Sequence, residues 1–160
     1  AFFHSNSGGI TELAQNVWGA EYPYLQIVKI EGENNYSSYA SNLNIMKDKL
    51  VEIMLKNYPD FTINFEESDF IKINSYTESG RVKEIKIGNK LLSGVDVRKI
   101  FSLKSTNFNI NVNNDEIIFS VLGHGHGVGL SQCGSDVLAK NGKNYKEIIN
   151  YYYKDIEIYE

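Results

Sequence analysis

Two histidines near the end of the sequence lie among closely spaced glycines, in the stretch GHGHGVGLSQCG at 123–134. Glycine occupies each odd position from Gly123 to Gly129, and histidine occupies two of the even positions, His124 and His126. If this stretch is extended, its side chains alternate between two faces, with all four glycines on one face and both imidazoles on the other. The glycines also permit a positive φ where the strand bends. Imidazoles can bind an ion or a ligand, and a face without side chains lets another molecule approach the backbone.

A second polar cluster, HSNSGGIT, occupies residues 4–11. It places serine hydroxyls, an asparagine amide and the imidazole of His4 beside two glycines that permit a sharp turn. These groups can bind a polar ligand, and a solvated loop is the alternative interpretation. Three aromatic residues follow whose rings can stack on sugar faces or pack in the core, namely Trp18, Tyr22 and Tyr24.

Two further chemistries are open for the glycine-rich stretch. His124 and His126 can bind one metal ion if Cys133 or His4 supplies a third ligand, although the sequence lacks the paired CxxC spacing of strong zinc motifs. Cys133 can act instead as a nucleophile, because the start of a helix can lower the pKa of a thiol and a histidine can serve as its base. The structural alternatives are a buried cysteine and a tight crossing from strand to helix.

Periodicity and capping residues predict the elements that carry these groups. Apolar residues at helical spacing predict a helix that Asn44 caps and Pro59 ends. Alternating segments, hairpin turns and further capping residues predict the rest. These elements are strands at 70–76, 81–88, 107–112, 116–122 and 156–160, and short helices that begin at Ser93, Ser131 and Asn144.

The order of the predicted elements indicates the fold class. Strands outnumber helices, and no regular alternation of strand and helix occurs. We therefore predict an α+β fold with a mostly antiparallel sheet, several short helices and one longer helix. A chain of 160 residues corresponds to one average domain or to two very small ones.

Composition argues against several classes of partner. The chain has 16 basic and 20 acidic residues and a net charge of -4, so we expect no partnership with nucleic acid or with an anionic membrane surface. No apolar run approaches the roughly 20 residues that span a bilayer. The single cysteine excludes an internal disulfide. The first residues read as the end of a strand without an initiating methionine, so we expect a piece of a longer protein.

Several segments together resemble one protein family. They are FFHSNSGGIT, VWG followed by PYL, SGRVKEIKIG, SG before Arg98, LKSTNF, GHGHGVGLSQCG and AKNGKNYKEIINYYY. Over residues 1–160 the chain is similar to the C-terminal part of the stage II sporulation protein D family, whose relatives include the amidase enhancers of bacterial cell walls. Residues 31–69 match least, and we interpret them as a helical insertion.

The resemblance implies a peptidoglycan lytic transglycosylase that acts during engulfment of the forespore. Such enzymes cleave the glycan strand after N-acetylmuramic acid and close a 1,6-anhydro ring without adding water. The family mechanism uses one glutamate, first as acid and then as base, in a segment upstream of the FHSNSGG motif. None of the glutamates of this chain matches that position, so we expect this chain alone to be inactive.

The resemblance also implies features that lie outside this chain. The zinc ligands of some relatives and the membrane anchor belong to upstream segments, so we expect no cofactor in this chain and zinc only in the full-length protein. We expect the full-length protein to be anchored in the membrane and to face the space between mother cell and forespore. Its expected partners are peptidoglycan glycan strands and other cell-wall enzymes of engulfment.

The residues that match the polar motifs of the family are the predicted substrate-binding residues. They are His4, Ser5, Ser7, Gly8, Gly9, His126, Gly127, Gly129, Ser131 and Gln132. We expect His4 and His126 to contact the substrate or the upstream glutamate. We expect Ser7 and Gln132 to form hydrogen bonds with N-acetyl or hydroxyl groups.

Two alternatives belong to other functional classes. One is a non-catalytic module that binds peptidoglycan and stimulates an amidase, which is the role that the name of the enhancer relatives describes. The other is a zinc hydrolase that uses His124, His126 and Cys133 as ligands. Cys133 and Ser135 stand where an aromatic residue and an alanine are common in the family, so neither a thiol mechanism nor a Cys133 metal ligand follows from the resemblance.

Overall fold

The chain forms two compact units in the computed structural model, which describes residues 1–159. The terminal unit comprises Ala1–Ser41 and the chain from Leu122 onward. The central unit comprises Asn42–Val121. Both polar motifs of the sequence therefore belong to the terminal unit.

Short strands and helices make up both units. The strands are β1 (Phe3–His4), β2 (Ala40–Met46), β3 (Ile71–Tyr76), β4 (Val82–Ile87), β5 (Lys90–Ser93), β6 (Phe108–Val112), β7 (Glu116–Leu122) and β8 (Leu130–Ser131). The helices are α1 (Ala14–Trp18), α2 (Lys47–Asn57), α3 (Gly94–Ile100), α4 (Gln132–Lys140) and α5 (Tyr145–Tyr152), and a 3-10 turn spans Glu33–Asn35. Within residues 1–159 no helix has the length and apolar character needed to cross a membrane.

Three small sheets connect the strands. β3, β4 and β5 form an antiparallel sheet in sequence order, and β6 pairs antiparallel with β7, which also neighbours β2. β1 and β8 form a two-stranded parallel sheet. The structure confirms the predicted α+β class with mainly antiparallel pairing, and α2 is the longer helix.

The core of the central unit forms where alternating strands meet one face of α2. Ile85 and Ile87 of β4 are fully buried because they point to the same side of the strand. Leu50 and Met54 lie one helical turn apart on α2 and are buried in the same core. This unit is thus held together by apolar side chains of the predicted strands and helix.

A separate core fills the terminal unit. It contains Val128, which follows the two histidines, and the consecutive tyrosines Tyr152 and Tyr153 at the end of α5. Tyr151, which precedes them, is exposed, because successive residues of a helix point in different directions. The residue that follows the histidine motif is therefore anchored in this core.

The predicted helix starts are confirmed by their caps. The hydroxyls of Ser93 and Ser131 each accept a hydrogen bond from a backbone N–H three residues later, at 3.0 and 3.1 Å. Asn144 and Glu147 form a reciprocal capping box at the start of α5. These caps satisfy N–H groups that the helices leave without partners.

Two predicted boundaries are wrong. Asn44 lies within β2 and caps nothing, because pairing beside β7 draws the segment into a sheet and α2 begins only at Lys47. Residues 156–159 form no strand, and Ile156 packs instead against the core of the terminal unit. A short alternating segment is stable as a strand only beside a partner edge. Glu160 lies outside the described residues.

Burial raises the pKa of the Tyr152 phenol above its ordinary value of 10.0, and the Glu33 carboxylate adds to the rise. Because the neutral phenol is favoured on folding, its contribution to stability is complete below about pH 10 and is lost as the pH rises further. We expect Tyr152→Phe to lose less stability than the parent between about pH 9 and pH 11. Urea unfolding at each pH measures this, with exposed Tyr145→Phe as control. Equal pH slopes for Tyr152→Phe and parent would contradict it.

Candidate functional site

The two polar motifs meet along the pairing between β1 and β8. His4 lies opposite Ser131 in parallel register. Just beyond this pair, the Cys133 N–H donates to the Ser5 carbonyl at 2.9 Å. Main-chain hydrogen bonds therefore place the FHSNSGG motif directly beside the GLSQCG end of the glycine-rich motif.

A second bridge joins the same motifs through their backbones. Asn6 and His124 exchange two main-chain hydrogen bonds of 2.8 and 3.1 Å. A Cβ at Gly8 would lie 3.1 Å from the backbone nitrogen of Gly123, closer than side chains normally approach. His124 is thus positioned by its main chain, and its residue surface is only partly buried.

The imidazoles of His4 and His126 lie side by side at this junction. Their ring centroids are 5.7 Å apart in an edge-to-face arrangement. Val128 orients both rings: its carbonyl accepts from His4 Nδ1 at 3.1 Å, and its N–H donates to His126 Nδ1 at 3.0 Å. The neutral His126 ring therefore carries its proton on Nε2. His4 is 4% exposed, whereas His126 is only half-buried.

The glycine-rich stretch is not extended, so the condition for two separate faces is not met. Its four glycines at 123–129 all have positive φ, from 75° to 113°, so the chain turns repeatedly. Backbone packing is the physical reason. A Cβ at Gly129 would overlap the Phe2 carbonyl, and a Cβ at Gly125 would lie 2.8 Å from the Cβ of His4. Because these glycines have no side chains, the segment around Phe2 and His4 can pack directly against them.

A buried carboxylate, Glu33, joins both motifs from a third segment of the chain and is 1% exposed. Its Oε1 accepts from the Ser7 N–H at 3.1 Å and from the Ser131 hydroxyl. Its Oε2 accepts from the Gly9 N–H at 2.8 Å and from the Ser7 hydroxyl. A buried charge is tolerated when hydrogen bonds replace its hydration, and this carboxylate has donors from both motifs.

The role of Glu33 is not predicted from the sequence. It lies in the polar stretch EGENN at 31–35, where an acidic residue usually faces solvent and no periodicity marks a buried position. The stretch also begins the segment that we interpreted as an insertion. The one local signal is Gly32, whose φ of 91° lets the chain turn so that the next side chain points inward.

A second buried acid, Glu12, directly follows the FHSNSGGIT segment. Its Oε1 accepts from the Leu13 N–H at 2.7 Å and from the Asn16 amide at 2.9 Å. Its own N–H donates to the Gly127 carbonyl at 2.8 Å, which is a further link to the glycine-rich motif. Glu12 and Glu33 thus both direct their carboxylates to groups inside the terminal unit.

The predicted substrate-binding residues divide into a buried and a more accessible group. The buried ones are His4, Ser7, Gly8, Gly127, Gly129 and Ser131, and those at least partly exposed are Ser5, Gly9, His126 and Gln132. The hydroxyl of Ser7, which we expect to bond a substrate group, donates to Glu33 inside the unit. Ser131 has the same internal partner. Of the predicted residues, only the accessible group therefore presents surface to solvent.

Cys133 lies at the start of α4 and is partly buried. Its sulfur is 3.4 Å from the hydroxyl of Ser38, and a hydroxyl is a poor base for activating a thiol. Among residues 1–159 no group of three or more histidine, cysteine or acidic side chains is arranged to hold a metal ion. The geometry therefore adds no support to the thiol and zinc-hydrolase alternatives.

Comparison with known proteins finds relatives that are named as sporulation proteins, although no family model matches the chain. The chain is 32% identical to stage II sporulation protein D of Bacillus subtilis and 30% identical to the protein of that name from Bacillus amyloliquefaciens. Both alignments cover all of this chain. The chain spans about 45% of the length of these two relatives. An amidase enhancer of Bacillus subtilis is 22% identical over 96% of the chain and 28% of the enhancer. As its motifs predict, the chain is homologous over its full length to a part of stage II sporulation protein D.

Proposed function

We propose that this chain forms the glycan-binding part of a peptidoglycan lytic transglycosylase that acts on the cell wall during sporulation. The names of its homologues support a role connected with sporulation and the cell wall. The observation that carries the proposal is the meeting of His4 and His126, from motifs at opposite ends of the sequence, with partly exposed polar groups around them.

The reaction needs one carboxyl group that acts twice. It protonates the glycosidic oxygen, and the bond from C1 of N-acetylmuramic acid to that oxygen breaks. The 6-hydroxyl of the same sugar then forms a bond to C1 and gives its proton to the carboxylate, so no water is consumed. An acid in this role must reach the glycosidic oxygen. Glu12 and Glu33 are both buried and bonded internally, which supports an acid supplied by another segment.

His126 is the residue of the site best suited to contact a sugar. Val128 fixes its ring through Nδ1, so the Nε2–H is held in a constant direction. An imidazole N–H can donate to a sugar hydroxyl, to an N-acetyl carbonyl or to the catalytic carboxylate. Gln132 at the start of α4 belongs to the same motif as His126 and is exposed. Its side-chain amide offers both a donor and an acceptor.

In this proposal the full-length protein works outside the cytoplasm, between mother cell and forespore. Its substrate is the glycan strand of peptidoglycan, and other engulfment enzymes act on the same wall. The membrane anchor and any zinc belong to the full-length protein. This chain supplies binding groups and no cofactor.

The experiment digests purified peptidoglycan with the full-length protein and measures 1,6-anhydro ends by mass spectrometry. We expect the parent to release them and His126→Ala to release them at least about tenfold more slowly, because a fixed donor to the substrate or the acid is lost. His124→Ala is the matched control, two residues away in the same motif and held by its main chain, and should stay within about twofold. Equal losses in both variants would contradict the role of His126.

A second candidate is a peptidoglycan-binding module that stimulates an amidase. It is favoured by the similarity to a protein named amidase enhancer and by the internal bonding of both acids at the site. Digestion that leaves no anhydro ends, together with retained binding to purified cell wall, would support this candidate over the transglycosylase.

A further inference from the structure

A row of aromatic rings leads away from the two histidines. We define the aromatic row as His126, Trp18, Phe2 and Tyr22. Successive ring centroids lie 5.0 Å apart from His126 to Trp18, 4.8 Å from Trp18 to Phe2 and 5.8 Å from Phe2 to Tyr22. Trp18 is 43% exposed and Tyr22 is 39% exposed, so the row presents ring surface to solvent. Exposed rings this close together form a continuous apolar strip.

The main chain beneath the row is firmly held. The Phe2 carbonyl accepts from the Leu130 N–H at 3.0 Å and from the Tyr153 hydroxyl at 2.6 Å. Trp18 is the last residue of α1, and Gly19 closes that helix in a left-handed conformation. Rings that are positioned before a ligand arrives lose little conformational freedom on binding. The main chain that carries Phe2 and Trp18 is therefore fixed before any ligand arrives.

A cavity of about 240 Å³ lies beside Tyr22. Its lining combines apolar side chains with those of Gln15, Gln26 and Glu21. Among the described residues that line it, Glu21 alone carries a charge. Side-chain amides both donate and accept hydrogen bonds, so a lining that mixes apolar surface with amides suits a neutral ligand that carries hydroxyl or amide groups.

We propose that the aromatic row is an extended subsite for an N-acetylated glycan, running from His126 to the cavity beside Tyr22. This inference rests on the proposed function and specifies where the sugars next to the cleavage site bind. The C–H face of a pyranose ring packs on an aromatic face, while its hydroxyl and N-acetyl groups point outward to polar partners. The row supplies the flat faces, and Gln15 and Gln26 supply donors and acceptors.

The same features argue against other ligands. A single-stranded nucleic acid also stacks on rings, but it requires cations along its backbone, and the charged residue described at the cavity is an acid. An apolar partner surface would remove the glutamine amides and the Tyr22 hydroxyl from water without replacing their hydrogen bonds. A neutral ligand rich in hydroxyl and amide groups matches both parts of the surface.

Trp18 is the single tryptophan of the chain, so its fluorescence reports directly on the row. The β-1,4-linked tetramer of N-acetylglucosamine is titrated into the chain while the emission is recorded. We expect a saturable shift to shorter wavelength, because a sugar on the indole displaces water. Tyr22→Ala keeps the reporter and should raise the Kd about tenfold, as expected when one stacking ring is lost.

Tyr76→Ala is the matched control for this titration. Tyr76 lies in β3 of the central unit, outside the row, and is 52% exposed, so its removal should leave the Kd unchanged. An unshifted emission at saturating tetramer, or an unchanged Kd in Tyr22→Ala, would overturn the subsite. An emission shift that follows protein concentration and ignores the sugar would also overturn it, because the row would then bind a second copy.

The subsite and the proposed function can fail separately. If the full-length protein releases anhydro ends but Tyr22→Ala binds the tetramer normally, the subsite is wrong and the activity stands. If the tetramer binds at the row but no anhydro ends form, the subsite stands and the transglycosylase is wrong. The binding measurement and the mass analysis together distinguish these outcomes.

Discussion

Glu33→Gln is expected to lower the free energy of unfolding by about 3 kcal/mol, although it changes no carbon atom of the side chain. The amide has one oxygen, so its NH2 group must face either the Ser7 N–H or the Gly9 N–H. A serine hydroxyl can rotate to accept from the NH2, but a backbone N–H cannot. One buried main-chain donor is therefore left without an acceptor, and the charge-assisted bonds are lost.

Urea unfolding of the parent and the variant measures this effect. Glu31→Gln is the matched control, with the same chemical change two residues away at an exposed position, and should stay within about 0.5 kcal/mol of the parent. If the two variants were equally stable, the buried carboxylate would not hold the motifs together.

Gly129→Ala is expected to cost at least about 3 kcal/mol of stability. The residue has a φ of 75°, which is unfavourable for alanine by about 1 to 2 kcal/mol. Its new Cβ would also overlap the Phe2 carbonyl, whose oxygen accepts the Leu130 N–H within the parallel pair. The β1 and β8 strands must separate to make room, which moves both polar motifs.

Gly142→Ala separates the two contributions. Gly142 has a similar φ of 88°, but nothing lies within 4 Å of a Cβ at that position. It should therefore show only the cost of the backbone conformation, about 1 to 2 kcal/mol in the same urea experiment. Equal losses at both glycines would show that close packing on Phe2 contributes nothing.

The elements with strong local signals are the ones that the sequence predicts well. Ser93 and Ser131 cap their helices as predicted, because a hydroxyl at that position satisfies a nearby main-chain donor whatever the rest of the chain does. The alternating strands in the central unit form for a similarly local reason. Helix α2 starts later than predicted because Asn44 is drawn into a sheet by a distant strand.

The candidate site is only partly predictable. Its polar motifs are visible as unusual clusters around His4 and His126, and the structure brings these two rings together. The extended geometry considered for the glycines is absent, since alternation in sequence does not reveal that all four have positive φ. The burial of Glu33 could not be predicted from the sequence, because it depends on hydrogen-bond donors from two distant segments.

These differences change how the site is understood. Gly129 lies in the interior and lets the Phe2 backbone approach closely. The buried hydroxyls of Ser7 and Ser131 donate hydrogen bonds to Glu33. Our two proposals assign contact with a ligand to His126, to Gln132 and to the aromatic row. The buried residues position the exposed ones, so substitutions in the two groups should differ in kind: the first should mainly affect stability, the second mainly binding.

A double-mutant cycle between Glu33→Gln and Ser131→Ala tests most directly whether this carboxylate joins the two motifs. The same cycle with Ser93→Ala is the control, because Ser93 is also a helix cap but bonds Asp96 instead. We predict a coupling energy of at least about 1 kcal/mol for the first pair and additivity within about 0.5 kcal/mol for the control. Additive losses for Glu33 and Ser131 would contradict the claim that Glu33 holds the site together.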